Sequence, residues 1–324
     1  MIKLYDENLS GYVEAEVKDF YCNDLPVYFA KIDKNSYVRN FSAPVYSIPK
    51  IFFGSMPRDG GNLIIEADEY EDFIRREPAA KKWIRPYVGS REFIRKLPRY
   101  CLWLVDCPPN ELRKMKLVYE RVQAVKNFRL ASKAPSTRNF AKTPWLFCQI
   151  AQPKTDYLLV PGVSSERRDY IPIGFMDANT IVSNLAFSIP NAKWWHFGVL
   201  TSSVHMTWMR MTCGRLKSDY RYAAKIVYNN FPWPPFWRKV ERTAGEILLV
   251  RRKFPDASFA DLYDPLTMPK ELRRAHEAND RAVMEAYDFS PKMTEHELQV
   301  TLLKLYETLA ELKKLFDEMD AEIN

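Results

Sequence analysis

Phe231-Pro232-Trp233-Pro234-Pro235-Phe236 divides the sequence into two parts of different character. Three prolines in six residues end any helix or central strand. Before them, short apolar runs of strand length alternate with stretches of helical period. Residues 51–54 and 62–65 flank the turn Met56-Pro57-Arg58-Asp59-Gly60-Gly61, a strand–loop–strand pattern. After them, residues 240–254, 269–287 and 294–319 read as helices. The last carries Leu298, Leu302, Leu305, Leu309, Leu312, Leu315 and Phe316 at helical steps. This order predicts an α+β fold: a mixed α/β, sandwich-like domain over 48–235 and a helical C-terminal region over 236–324. Residues 1–47 read as an N-terminal connector, with an extended piece at 27–30.

Within the domain, residues 66–76 are acidic at the start and basic at the end, as a helix dipole favours, and Pro78 closes them. Residues 100–106 read as a buried strand, and Pro108-Pro109 start the next helix. From 110 to about 130, Leu112, Met115, Tyr119, Val122, Val125 and Phe128 mark an amphipathic helix. Further strands are expected at 145–150, 157–160, 171–175, 181–189 and 226–228, with a helix at 201–213.

Composition excludes several function classes. Ten glycines in 324 residues include no Gly-x-Gly, so neither a dinucleotide fingerprint nor a phosphate-cradling loop can be written. Five widely spaced cysteines without Cys-x-x-Cys argue against a disulfide framework or zinc ribbon. No stretch approaches eighteen apolar residues, and residues 1–11 lack the apolar run of a signal peptide. A reduced, cytoplasmic protein without a membrane partner is expected. The net charge of +7 is uneven: residues 241–324 hold twelve basic and eighteen acidic side chains, leaving +13 for the first 240. A basic body with an acidic helical tail suits a polyanionic partner.

No catalytic constellation stands out. An amino-group DNA methyltransferase needs Asn or Asp before Pro-Pro-aromatic to hold the flipped base. Asp106-Cys107-Pro108-Pro109 has an extra residue and no ring after it, and Trp233-Pro234-Pro235-Phe236 lacks the polar residue. Both read as proline turns. Asp59 reads as a turn residue. His196, His205, His276 and His296 show no metal spacing, although His205 and Cys213 share a helix pattern.

The strongest local signal is basic. Arg113, Lys114, Lys116, Arg121, Lys126, Arg129, Lys133, Arg138 and Lys142 face only Glu111 and Glu120, with Ser and Thr interleaved. Such groups neutralise phosphates and fix register on a duplex. A second cluster, Arg215-Leu216-Lys217-Ser218-Asp219-Tyr220-Arg221-Tyr222, follows Gly214. A third, Ser164-Ser165-Glu166-Arg167-Arg168-Asp169-Tyr170, forms a polar turn between apolar runs. Arg binds guanine in bidentate fashion and Glu accepts from cytosine, so such a loop suits base readout. Each cluster also fits an ordinary solvated face.

The sequence resembles the C-terminal half of MmeI-like (type IIL) restriction–methyltransferases. The resemblance rests on Phe52-Phe53-Gly54-Ser55-Met56-Pro57-Arg58-Asp59-Gly60-Gly61, on residues 84–94 and 100–104, and on 129–144. It continues through Val163-Ser164-Ser165-Glu166, Tyr170-Ile171-Pro172-Ile173-Gly174-Phe175, residues 196–222 and 228–234, and 260–269. Together these span roughly 48–290. The resemblance implies a target-recognition domain over 48–235, with 1–47 a connector or the trailing edge of a methyltransferase domain. It implies double-stranded DNA as partner, and a methyltransferase or nuclease domain in cis or in trans. S-adenosylmethionine is expected only for that missing methyltransferase part, with adenine-N6 as its target. On this reading the chain is non-catalytic. Arg91, Arg129, Lys133, Arg138, Lys142, Arg215, Lys217 and Arg221 are the phosphate candidates. Glu166 and Arg168 are the first candidates for base edges, with Ser202, Ser203 and Tyr220 behind them. The alternative is an interaction subunit that docks a methyltransferase or nuclease through its helical tail.

Overall fold

The computed structural model describes residues 41–44 and 46–323, four short strands ahead of them, and side chains of the last helix as far as Lys314. Those strands form two antiparallel pairs, β1 (Ile2–Asp6) with β2 (Gly11–Ala15) and β3 (Asp24–Pro26) with β4 (Tyr37–Arg39). The extended piece expected at 27–30 lies outside the described residues.

The next segment runs β5 (Phe52–Phe53), β6 (Ile64–Glu66), α1 (Ala67–Arg76), β7 (Ile84–Val88), α2 (Ser90–Arg95) and β8 (Arg99–Leu102). Asp68 and Glu69 open α1, Arg75 and Arg76 close it, and Glu69 accepts the Glu66 amide at 3.0 Å. Each of these suits the helix dipole and its unpaired amides. Pro109 sits in the first turn of α3 (Pro109–Lys114), where its missing N–H costs nothing. The chain then breaks at Met115, in extended conformation, before α4 (Lys116–Leu130). The single helix expected over 110–130 is therefore two. The buried seam of α4 is Val118, Val122, Val125 and Arg129, while Tyr119 and Phe128 are exposed. Leu112, Met115, Val122 and Val125 of the expected stripe are buried, and only its Tyr119 and Phe128 positions pass to the adjacent residues Val118 and Arg129.

α5 (Pro135–Asn139) leads to a stretch, 145–150, expected as a strand. It makes the single bridge Met56–Gln149 among the described residues, and its Leu146 carbonyl is taken by Arg129 instead. β9 (Tyr157–Pro161), β10 (Val163–Ser164), β11 (Gly174–Met176), β12 (Ile181–Val182) and β13 (Ala186–Pro190) follow. The run expected at 171–175 becomes a strand only from Gly174. Helices α6 (Trp194–Leu200) and α7 (Ser203–Thr212) precede the hairpin β14 (Gly214–Leu216) and β15 (Asp219–Arg221). Residues 224–228, of which 226–228 were expected as a strand, form one wide helical turn. The Val227 carbonyl there accepts from buried Trp208 Nε1 at 2.9 Å.

Three small sheets build the body. The order β12-β7-β8-β6 has one parallel pair, β12 with β7, and is otherwise antiparallel. The order β11-β9-β13-β5 is fully antiparallel. Every residue of β9 is buried, as its unbroken apolar run requires. Leu158 and Val160 enter the main core with the helices, while Tyr157 and Leu159 pack with Phe93, Ile94, Val182 and Ala186. That is the period-two alternation of a strand covered on both faces. β10-β15-β14 form the third sheet.

Beyond the proline stretch come α8 (Arg238–Arg251), α9 (Phe259–Leu262), α10 (Lys270–Ala286) and α11 (Glu295–Ile323). α6 meets α8 at Gly198, where a Cβ would lie 2.7 Å from Val240. The Gly198 carbonyl accepts from Asn279 Nδ2 of α10 at 2.7 Å, which locks the three helices together. Leu298, Leu302, Leu303 and Tyr306 of α11 are buried, Tyr306 against Trp208. The start of the leucine stripe is therefore core. Among the described residues, no helix is long and apolar enough to cross a membrane.

Candidate nucleic-acid interface

The basic segment separates by direction. Arg121 and Arg129 turn inward. Arg121 pairs with Glu69 at 2.7 Å, donates to the Ile64 carbonyl and lies over the Phe73 ring. Arg129 is 0% exposed. Its Nε donates to the Arg58 carbonyl at 3.1 Å. Nη1 reaches Phe140 and Thr143 at 3.0 Å, and Nη2 reaches Pro57 at 2.8 Å and Leu146 at 2.7 Å. All five guanidinium donors are used on five carbonyls. Arg129 is therefore not a phosphate contact but a staple between the 57–58 turn and the 140–146 segment. Lys133, Arg138 and Lys142 stay exposed around that staple. Arg138 also donates to the Ser132 and Lys133 carbonyls at 2.8 Å each, which fixes the turn carrying Lys133.

Arg58, exposed and in left-handed backbone conformation (φ 44°), joins this group through Thr137 Oγ1 at 3.4 Å. In the sequence its role is masked by Asp59-Gly60-Gly61, which signals a turn. The turn itself offers no nucleotide cradle. Buried Asp59 accepts the Gly61 amide at 3.1 Å and the Leu63 amide at 2.5 Å, and Gly60 (φ 65°) lies against the Phe128 ring.

The other two clusters meet. β10 pairs with β15, Ser164 opposite Tyr220 and Val163 opposite Arg221, so the 164–170 turn and the 214–221 hairpin form one sheet edge. Arg215, Lys217 and Arg221 are exposed on it, with Lys217 at the hairpin tip in left-handed conformation (φ 56°). Arg215 lies 4.2 Å from the Tyr220 ring and donates to Ser218. Arg91 is exposed on the first turn of α2. Its neighbour Ser90 accepts the Gly162 amide at 2.9 Å, which brings α2 beside this sheet.

Glu166 is exposed at the turn. Arg168 is half-buried: Nη1 reaches Ser164 Oγ at 3.3 Å, while its buried Nε has no partner among the described residues. Burial pulls its pKa down, and Asp219 and Asp264 push it back up. Two of the weaker candidates are corrected. Ser202 is buried as the N-cap of α7, accepting from the His205 amide at 3.3 Å and donating to Val199 at 2.7 Å. Tyr220 is buried as the platform under Arg215. Ser203 is half-buried, and its amide donates to Asp280 at 2.7 Å. The helix-start hydroxyls looked available in sequence because capping and readout use the same residue types.

The 231–236 proline stretch and three of the histidines are packing devices, while His296 is exposed. Trp233 is buried with Trp195, Tyr228 and Phe231 around it. His196 accepts the Lys193 amide, His205 meets the Tyr222 hydroxyl at 3.1 Å, and His276 meets that of Tyr263 at 2.8 Å. Among the described residues, no three His, Cys, Asp or Glu side chains gather as a metal site. A cleft of about 910 Å³ between α2 and α8, lined by Phe93, Phe175, Trp194 and Leu249, contains none of the candidate residues.

Residues 32–235 match the family model for the MmeI target recognition domain, and residues 236–314 match that for the MmeI C-terminal domain. The chain belongs to the MmeI target-recognition family. Over 282 residues it is 39% identical to DNA methyltransferase A of Bacillus subtilis (strain 168), covering 86% of this chain and 32% of that protein. A solved structure of the type IIL restriction-modification enzyme MmeI in complex with DNA superposes with a TM-score of 0.83 at 42% identity. It covers 86% of this chain and 38% of that one. The chain thus spans about a third of the length of these relatives, and its likeness to MmeI extends over both the mixed body and the helical region.

Proposed function

We propose that this chain is a double-stranded DNA recognition module that supplies sequence specificity to a methyltransferase or nuclease domain, in cis or in trans. The carrying observation is the joining of the 164–170 and 214–221 turns into one basic sheet edge that carries exposed Glu166 and half-buried Arg168. Its membership of the MmeI family supports the same reading. Lys133, Arg138, Lys142, Arg215, Lys217, Arg221 and Arg91 hold phosphates in this account, with Arg58 added to them. Methyl transfer to adenine and S-adenosylmethionine belong to the methyltransferase part, and the working compartment is the cytoplasm. Docking through the helical tail loses its best support, because the stripe at 298–306 is occupied by core packing.

Two tests separate readout from charge. Arg168→Ala changes which base is preferred at one position, by about 1–3 kcal/mol of discrimination. An unaltered preference profile removes Arg168 from the base-reading role. Lys133→Gln with Lys142→Gln weakens binding alike on all sequences and flattens the salt dependence by about 0.9 in log–log slope for each lost contact. A slope equal to that of the unmodified chain, measured by titration between low and moderate salt, removes these lysines from the phosphate set.

A further inference from the structure

The turn that carries Glu166 and Arg168 is anchored from the other half of the chain. Arg167 faces Asp264 at 3.7 Å, Asp169 pairs with Arg273 of α10 at 3.0 Å, and the Tyr170 hydroxyl donates to Asp280 Oδ2 of α10 at 2.7 Å. The Tyr170 ring also stacks on His276 of α10, with centroids 4.2 Å apart. Three of the four positions 167–170 thus end on helical-region side chains, and the other, Arg168, reaches Ser164 within the turn. Asp280 is the hub. Its other oxygen takes the Ser203 amide at the start of α7 at 2.7 Å, so one carboxylate ties α10, α7 and the turn together. The carboxylate at the N-terminal end of a ten-residue helix is also favourably placed against that helix's dipole.

We infer that Asp280 and Tyr170 are positioning residues for base readout: the helical C-terminal region sets the angle at which Arg168 and Glu166 are presented. This rests on the DNA-reading proposal above. Bidentate contact to a base edge tolerates little displacement, so a turn indexed by α10 reads differently from a free one. Neither residue touches DNA in this account. The acidic half of the chain, unsuited to a polyanion by charge, contributes to specificity through the turn.

The test uses the full chain, the duplex it enriches from a randomised pool, and that duplex with single base pairs changed at the positions Arg168→Ala disturbs. Tyr170→Phe removes one oxygen and keeps the ring on His276. It lowers the ratio of affinities between the enriched and altered duplexes about fivefold, with the salt slope unchanged. Asp280→Ala loses at least as much, since it also drops the Ser203 amide, and the double variant loses no more than Asp280→Ala alone, because the Tyr170 contact is already gone. Asp280→Asn keeps an oxygen for the Ser203 amide and restores most of the ratio. A merely structural role lowers the folded fraction, which scales binding to all duplexes alike and leaves the ratio untouched. If Arg168→Ala shifts the preference while Tyr170→Phe and Asp280→Ala leave the ratio unchanged, the positioning role is overturned. If Arg168→Ala itself changes nothing, the DNA-reading proposal for this turn fails, and the positioning role falls with it. Should Asp280→Ala fail to fold, Tyr170→Phe alone carries the comparison.

Discussion

Arg129→Met lowers the free energy of unfolding by about 3–5 kcal/mol, the largest single-residue effect expected in this chain. The side chain is fully buried, and its five N–H groups reach the carbonyls of Pro57, Arg58, Phe140, Thr143 and Leu146. Methionine fills much of the volume but leaves five part-buried carbonyls without that donor. Each unsatisfied buried group costs about 1–3 kcal/mol, and local relaxation recovers part of the sum. Lysine is no substitute, since an ammonium offers three donors at a point and the carbonyls surround a planar fork. Arg129→Lys is therefore expected to lose most of the same stability. DNA binding weakens as well, because the staple holds the backbone beside Arg58 and the segment leading to Lys142. Denaturant unfolding of both variants measures this, and a loss under about 1 kcal/mol for Arg129→Met contradicts the staple.

Acidification produces the second large effect. Burial pushes His205 down to about 3 and His196 down to about 4, and holds His276 well below its ordinary value with Arg251 nearby. Unfolded histidines bind protons near pH 6.5. The sign follows from linkage: the unfolded chain takes up protons that the folded chain refuses, so stability is full above about pH 6.5 and falls as the pH drops towards the folded values. Each histidine contributes a slope of about 1.4 kcal/mol per pH unit within that window, roughly 3 for His196 and His205 together. His276 acts in the same direction. Asp280 acts in the opposite one, because burial raises its carboxyl. Urea midpoints at pH 7 and pH 5 therefore differ strongly, with the lower value at pH 5. Equal midpoints contradict the neutral burial of these rings.

Much of the architecture was readable where local chemistry agreed with the tertiary fold. The dipole pattern of α1, the proline at the start of α3 and the unbroken apolar run of β9 each name their element. The proline stretch 231–236 marks the passage to helices for the same reason. Legibility failed where a distant partner decides. Residues 145–150 are apolar enough for a strand, yet the Leu146 carbonyl is taken by Arg129. Residues 226–228 carry β-branched side chains, yet Trp208 claims the Val227 carbonyl. Arg129 occupies a seam position seven residues along from Val122 and four from Val125. A periodicity count restricted to apolar types slides past it to Phe128.

The candidate site shows the same division. Composition alone located the 164–170 and 215–222 turns, since charged and hydroxyl residues between apolar runs are visible locally. Their pairing through β10 and β15 was not visible, because it joins residues more than fifty positions apart. Nor was the anchoring of Asp169 and Tyr170 by Arg273 and Asp280, which crosses the family-match boundary at residue 235. Ser202 and Tyr220 were misread for the converse reason: a hydroxyl suited to a base edge is equally suited to a helix cap or to a ring platform under an arginine.

The most direct measurement is selection of the purified chain on a randomised pool of duplex DNA at two salt concentrations, followed by sequencing of the bound fraction. The account predicts enrichment of one short motif, with affinity that falls steeply as salt rises. Absence of binding at low salt, or salt-sensitive binding that enriches no motif, contradicts the claim that this chain reads DNA sequence.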